Sequence, residues 1–285
     1  MQPILEILST GVGLSIQDAG RAGWRRFGVP VGGAMDRYSL AAANRLLGNR
    51  ETAPALEIML QGAKLKVLAD TWLALAGADL GCGIEPWTAQ RVSAGEVLTF
   101  PQARSGLFAY LAVPGGVVAD HWFGSASVDA RNGLGCVLRN GIRLSAMQSA
   151  PQVSTEGVSL RRLLVEDRRD FGREVTFELL RGPQYALFSE SARDVLVASP
   201  WRVSARSDRT GFRLEGPTIE VPASIPSEPV LPGSFQIPGN GQPIVTMVDG
   251  PTVGGYAKLA VLRDADIDRL AQCAPGTQIS FQWRD

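Results

Sequence analysis

The stretch VDGPTVGGYAKL, residues 248–259, ends near Lys258, one of only three lysines, with Lys64 and Lys66, among 28 cationic residues. A lysine ammonium is a compact, mobile point charge suited to a phosphoryl group or a developing oxyanion. The paired glycines before it, Gly254 and Gly255, let a backbone approach a ligand closely or take a positive φ. The plainer alternative is an exposed lysine after a turn. Asp249, just upstream, is placed either to hold the ammonium or a metal-bound nucleotide, or to close an Asx turn in DGP.

Other polar groups gather in two glycine-rich segments. SIQDAGRAGWRRFGVPVGGAMDRYSLAAANRLLGN brings Gln17, Asp18, Arg21, Arg25, Asp36, Arg37 and Asn44 into one block. Loops dense in glycine and polar side chains tend to carry function, because a rigid scaffold presents them. SFQIPGNGQPIVTMVDG adds Gln236, Asn240 and Gln242, whose amides either orient a small polar substrate or satisfy loop backbone. Aspartate and arginine recur together at Asp18/Arg21 and Asp208/Arg209, either as a substrate site or as an arginine fork closing a loop by two-point bonds.

The absences are as informative. His121 is the sole histidine, so no multi-histidine metal site can be built, and any histidine-dependent triad would rest on that residue beside Trp122 and Phe123. Cys82, Cys136 and Cys273 are odd in number and lack C-x-x-C spacing, which reads as buried thiols rather than a disulfide framework or structural zinc. Neither a P-loop nor a dinucleotide fingerprint occurs, and there is no Met-Lys-Met site for biotin. The 28 acidic residues balance the 28 basic ones, with no basic run interleaved with aromatics, so nucleic acid and anionic membrane are not expected partners. No window approaches the roughly 20 apolar residues of a spanning helix, and the N-terminus has no basic leader, so a cytoplasmic protein is expected.

The elements that must position these groups are mostly strands. Thirty-two glycines and 18 prolines punctuate short apolar runs: ILEIL, LKVL, WLALAG, VLTF, LFAYLAV, RLSA, VTFELL, PIVTMV and ISFQW. That spacing predicts a mainly β protein of barrels or sandwiches. Three helices are expected: MDRYSLAAANRLLGN with Asp36 as cap and Gly48 as stop, DADIDRLAQCAPG with Asp264 or Asp266 as cap, and FSESARDVLVA. RAGWRRFG (21–28) matches RTGFRLEG (209–216), QGAKLKV (61–67) resembles EGPTIEV (215–221), and AGEVLTF (94–100) resembles PGTQISF (275–281). Separations of this size are too long for a solenoid repeat and predict two related β domains, 1–150 and 175–285, joined by the polar linker 151–174. The N-terminal segment is left free to pack with either domain.

Taken in order, QDAGRAGWRRFGVPVGGAMDRYSLAAANRLLGN, LEIMLQGAKLKV, LALAGADL, YLAVPGGV, SDRTGFRLEG, FQIPGNGQPIV, TVGGYAKLAVL and LAQCAPG resemble the family of the 5-oxoprolinase C subunit, also called KipA or allophanate hydrolase subunit 2. The blocks run from residue 17 to 276, nearly the whole chain. The resemblance implies two cyclophilin-like β-barrel domains with a few short helices. It also implies a protein that works with a KipI-like B-type subunit and a LamB/YcsF-like A-type subunit, opening 5-oxoproline to glutamate with ATP and magnesium supplied at the level of the complex. A biotin-dependent urea or amide carboxyltransferase is the family's other activity, and a non-catalytic regulator of a KipI-like protein a third role. By carry-over, Lys258, Arg209, Asp18 and Asp249 are the catalytic positions. Arg21, Arg213, Gln17, Asp36, Gln236, Gln242, Gly254, Gly255 and Tyr256 are the substrate-binding ones, with no metal ligands assigned.

Two departures stand out. DGPTVGGYAK replaces the family's Asp-Arg-Gln-Thr-Thr-Gly-Gly-Tyr-Pro-Lys, so Gly250 and Pro251 stand where an arginine and a glutamine are usual. GSASVDA has Ala126 where an arginine is usual. The expected substrate is a lactam or related amide held in a cleft between the two barrels. Arg209 or Arg213 would fork its carboxylate, Lys258 would stabilise charge on the lactam oxygen or the transferring phosphoryl, and Asp18, Asp36 or Asp249 would place magnesium or take a proton.

Overall fold

Every apolar run named above contributes to a strand in the structure, a computed structural model that describes residues 2–154, 157–172 and 175–284. Contacts divide the chain into two units, residues 1–21 with 32–172, and residues 22–31 with 173–285.

The first unit holds β1 (Pro3–Thr10), β2 (Gly13–Gln17), α1 (Arg37–Leu46), β3 (Ala55–Met59), β4 (Ala63–Val67), β5 (Thr71–Asp79), β6 (Thr88–Val92), β7 (Val97–Phe100), β8 (Ser105–Ala112), β9 (Arg143–Ser145) and β10 (Leu160–Arg162). They form two sheets, β7-β4-β1-β9 and β10-β6-β5-β8-β3-β2, rather than one closed barrel. The sheets share a core in which Leu5, Ile7, Leu65 and Phe100 of the first meet Leu56, Ile58, Leu73 and Leu111 of the second. Burying side chains of this size supplies about 1.5–3 kcal/mol each, an upper bound because unfolded chains already hide some apolar surface. β4 shows the period-2 logic plainly: Ala63, Leu65 and Val67 point inward while Lys64 and Lys66 are exposed.

Helix α1 begins as expected. Asp36 is its N-cap, accepting from the Ser39 amide at 3.0 Å, and Gly48 follows its end in the left-handed region. Residues expected to be linker instead extend the first unit, because β10 pairs antiparallel with β6 and gives its backbone a ladder. The Tyr38 hydroxyl donates to the Asp167 carbonyl at 2.7 Å, and Arg169 stacks over the Tyr38 ring at 4.0 Å, fastening the following segment to α1.

The second unit holds β11 (Val175–Arg181), α2 (Glu190–Ala198), β12 (Trp201–Val203), β13 (Gly211–Glu215), β14 (Glu228–Pro229), β15 (Ser234–Ile237), β16 (Ile244–Thr246), β17 (Val253–Gly254), β18 (Ala257–Leu262), α3 (Asp264–Ala271) and β19 (Gln278–Trp283). Seven strands close a barrel in the order β11-β18-β15-β16-β13-β12-β19, sealed by parallel pairing of β11 with β19. Closure removes both edges, and Phe235 meets Phe281 edge-on at 5.0 Å inside. β14 and β17 form a separate two-strand ribbon. The α3 cap is Arg263 rather than an aspartate; Asp264 and Asp266 lie in the first turn, where they complement the helix dipole.

The apparent repeat is only partly structural. AGEVLTF and PGTQISF are both a turn leading into a strand, β7 and β19. RTGFRLEG contains β13, but RAGWRRFG contains a single 3-10 turn at Arg25–Phe27, and EGPTIEV has no strand beyond Glu215. Short glycine-containing strings match here without sharing a backbone path.

Candidate functional site

The expected site residues fall into two groups, one in each unit. In the first unit, Asp18 is buried and its carboxylate is saturated. It accepts from the Gly20 amide at 2.8 Å, the Ser125 hydroxyl at 2.6 Å, the Ala126 amide at 2.7 Å and the Ser127 hydroxyl at 2.5 Å. Gln17 donates to the Val128 carbonyl at 3.0 Å, and Arg21 donates to the Ser127 carbonyl. The QDAGR block therefore grips the GSASV segment, with Ala126 holding Asp18 through its backbone. Four charge-assisted bonds make this a rigid strut. Asp36 caps α1, accepts from the Ser39 hydroxyl at 2.5 Å and lies 3.6 Å from Arg169. Its amide donates to the Tyr110 oxygen at 2.8 Å, and that hydroxyl donates to Glu57 at 2.7 Å. Burial, with Glu57 and Asp36 nearby, pushes the Tyr110 hydroxyl well above its ordinary range, so it stays a donor.

A cavity of about 570 Å³ opens beside this strut, lined by Asp18, Arg50, Thr52, His121, Gln148 and Gln152 among others. Its polar side chains apart from Asp18 are exposed.

In the second unit several of the expected residues gather around Lys258. Its side chain is 2% exposed and its ammonium lies 2.6 Å from Glu228 Oε1. Among the described residues no other acceptor completes a hydrogen bond to that ammonium, so a buried cation keeps donors unspent. Gln184 bonds Glu228 Oε1 through its amide nitrogen at 2.8 Å and accepts from the Lys258 backbone amide at 3.1 Å. Hydrogen bonds from Lys258 and then Gln184 hold the Glu228 carboxyl below its ordinary range, so that carboxylate is ionised at neutral pH. Gln236 stands opposite Lys258 at a register shift between β15 and β18, and its amide donates to the Thr246 hydroxyl at 2.8 Å.

The two glycines are explained by space, not by φ. Neither lies in the left-handed region. A Cβ at Gly254 would stand 3.0 Å from Gln236 Oε1 and 3.1 Å from a Val230 methyl, whereas one at Gly255 would meet only ordinary contacts of 3.4 Å and more. Gly254 also pairs with Glu228 in the β14–β17 ribbon, so its missing side chain is what lets the ribbon lie close over Gln236. Tyr256 is half exposed.

The remaining positions serve the loops. Arg209 forms a two-point bond with Asp249, Nε to Oδ2 at 2.7 Å and Nη2 to Oδ1 at 3.1 Å, so its fork is engaged by a carboxylate of the chain itself. Asp208 accepts from the Thr210 amide at 2.8 Å as an Asx turn. Gln242 pairs through its amide with the Gly216 backbone, and Arg213 is exposed between the inward-facing Phe212 and Leu214. At Gly250 an added Cβ would stand 2.3 Å from a Thr246 methyl and 2.8 Å from the Thr210 carbonyl, so this loop path excludes any side chain there. Glu228 and Gln184 are the two members of the Lys258 site that sequence reasoning missed. Glu228 sits in a proline-rich run, SIPSEPVLPG, with no motif around it.

Comparison with known proteins agrees with this architecture. The family described as carboxyltransferase domain, subdomain A and B, matches residues 27–283. The chain is 36% identical to the 5-oxoprolinase C subunit of Escherichia coli, covering 98% of this chain and 90% of that one. It is 35% identical to the protein of the same name from Haemophilus influenzae, covering 98% and 91%. The crystal structure of TTHA0988 superimposes with a TM-score of 0.88 at 33% identity, over 98% of this chain and 55% of that one. Urea amidolyase of K. lactis gives 0.90 at 27% identity, over all of this chain and 19% of the larger polypeptide. The chain thus spans about half of the first solved relative and a fifth of the second.

Proposed function

Because this chain belongs to the carboxyltransferase domain family, subdomains A and B, we propose that it is the C subunit of an ATP-dependent 5-oxoprolinase that opens 5-oxoproline to glutamate. The partners are an A-type protein of LamB/YcsF kind and a B-type protein of KipI kind. The near full-length similarity to two proteins named as the C subunit of 5-oxoprolinase supports the assignment. The observation that carries the chemistry is the buried Lys258 ammonium with donors to spare.

Lactam opening is hard because the amide is resonance-stabilised and water is a weak nucleophile. ATP supplies a phosphoryl group that, on the lactam oxygen, turns the ring C–N bond into an activated imidate. The oxygen bonds to the γ-phosphorus as the bond to ADP breaks and the ring N–H proton leaves; negative charge spreads over the transferring phosphoryl oxygens, and Lys258 is the group in this chain suited to meet it. Shielded from water, its unspent N–H donors are worth more than at a surface. Glu228 holds the ammonium in place at 2.6 Å, and the Gln236 amide, fixed by Thr246, offers its carbonyl oxygen to a substrate N–H.

One specific observation favours a second reading: urea amidolyases match 97–100% of this chain at 27–29% identity. On that reading Lys258 would steady a carboxyl group passing from a biotinylated partner to an amide nitrogen. The test is glutamate formation from 5-oxoproline and ATP by this chain coexpressed with the A-type and B-type proteins of its source organism. Lys258→Met, which keeps side-chain volume, should lower turnover about 100-fold, as for loss of one oxyanion donor. Full activity of that variant would overturn the role of Lys258. Turnover that needs bicarbonate and a biotinylated protein would establish the second reading.

A further inference from the structure

We infer that Arg25 is a positioning residue that clamps the β14–β17 ribbon and so holds Glu228 against Lys258. Its consequence for turnover rests on the role of Lys258 proposed above.

The ribbon needs a clamp. It pairs only Glu228 with Gly254 and Pro229 with Val253, and Pro229 has no N–H to give the ladder. The next rung is a single bond from the Val230 amide to the Thr252 carbonyl at 3.0 Å. A two-stranded ribbon of this length is marginal in water. Arg25 closes it where it would fray: Nη2 donates to the Val230 carbonyl, just past β14, and to the Pro251 carbonyl at 3.3 Å, just before β17. One guanidinium thus ties both strands together. Partial burial lowers the Arg25 pKa from its ordinary value, yet an arginine remains charged at neutral pH, so both bonds are charge-assisted. The neighbouring Arg26 instead lies over the Phe27 ring at 4.8 Å. The RR pair therefore divides its work, one residue inward on the ribbon and one on the loop's own aromatic.

The chain contains its own reference for a test. Lys64 and Lys66 are exposed on β4 and Lys258 is buried, so acetic anhydride labelling of the purified chain, read by mass spectrometry, reports Lys258 against two internal standards. In Arg25→Ala, Lys258 labelling relative to Lys64 and Lys66 should rise about tenfold or more, the scale expected when a charged hydrogen bond is lost. Arg26→Ala should leave it unchanged. Glu228→Gln should raise it as well, and adding Arg25→Ala to Glu228→Gln should add little, because the two act through one ribbon. Arg25→Lys keeps the charge without a fork for two carbonyls, and should also raise labelling. It decides the matter if Arg25→Ala fails to fold. Labelling within about twofold of the parent in folded Arg25→Ala and Arg25→Lys overturns the clamp. If labelling rises while glutamate formation by the assembled complex is unaffected, the clamp stands and the role of Lys258 falls.

Discussion

The two glycines before Lys258 make opposite predictions, which gives the site a sharp internal control. At Gly255 an added methyl meets only atoms at 3.4 Å and beyond, and φ is unstrained. Gly255→Ala should therefore be neutral or stabilise by about 0.4–1 kcal/mol, because alanine narrows the unfolded ensemble. At Gly254 the same gain is opposed by contacts of 3.0 Å to Gln236 Oε1 and 3.1 Å to Val230. Both neighbours are side-chain ends, so they yield by a few tenths of an ångström, and the usual overpacking cost of about 1–3 kcal/mol falls at its lower end. The net expectation for Gly254→Ala is a loss of roughly 0–2 kcal/mol. Its larger effect should be on turnover, because the group displaced is the Gln236 amide, bonded to Thr246 at 2.8 Å. Urea unfolding of each variant, with glutamate formation by the assembled complex, measures both. Were Gly255→Ala as damaging as Gly254→Ala in both assays, the packing argument would be refuted.

Three further predictions follow from individual groups. Glu228 has a lowered folded pKa, so the stability from its pair with Lys258 is fully present above the ordinary glutamate pKa and is lost as pH falls through the folded value; the stability gap between the parent and Glu228→Gln, measured by thermal unfolding, should shrink across that acidic window, and a constant gap would contradict it. Asp18→Ala strips partners from two buried serine hydroxyls and the Ala126 amide, and should cost about 3 kcal/mol or more in urea unfolding, while a fully stable variant would mean the strut is dispensable. Burial pushes the Cys273 thiol up to about 12 and raises that of Cys82, so iodoacetamide at mildly alkaline pH should label exposed Cys136 first, and early labelling of Cys273 would refute the burial assigned to it.

The strands were legible because short apolar runs between glycines and prolines leave the chain few alternatives, and Asp36 announced its helix because a short acid before an apolar periodic run satisfies orphan amides. Lys258 drew attention by its scarcity, and its burial against Glu228 is what the structure adds. Glu228 and Gln184 were not legible, since a glutamate between prolines, far from Lys258 along the chain, carries no local signal of the ammonium it faces. Arg209 and Asp249 were read toward a substrate, but a fork and a carboxylate 40 residues apart in sequence find each other first. The repeat motif misled for a related reason: Arg-x-Gly-aromatic constrains a turn only weakly, so one copy became a strand and the other a single 3-10 turn. Nor could local pattern reveal that residues 22–31 leave the unit whose sequence surrounds them.

That excursion has a consequence for how the polypeptide is made. Arg25 and the Val230 carbonyl it grips are 205 residues apart, which at ribosomal rates of about 5–20 residues per second corresponds to roughly 10–40 s of translation. The loop is thus among the first parts to emerge and among the last to find its contacts. The barrel it serves cannot seal until β19, the last strand made, joins β11. A fragment starting after residue 172 would carry every barrel strand and still lack the loop, so a gene cut at the apparent boundary in the sequence would separate the lysine site from its own brace.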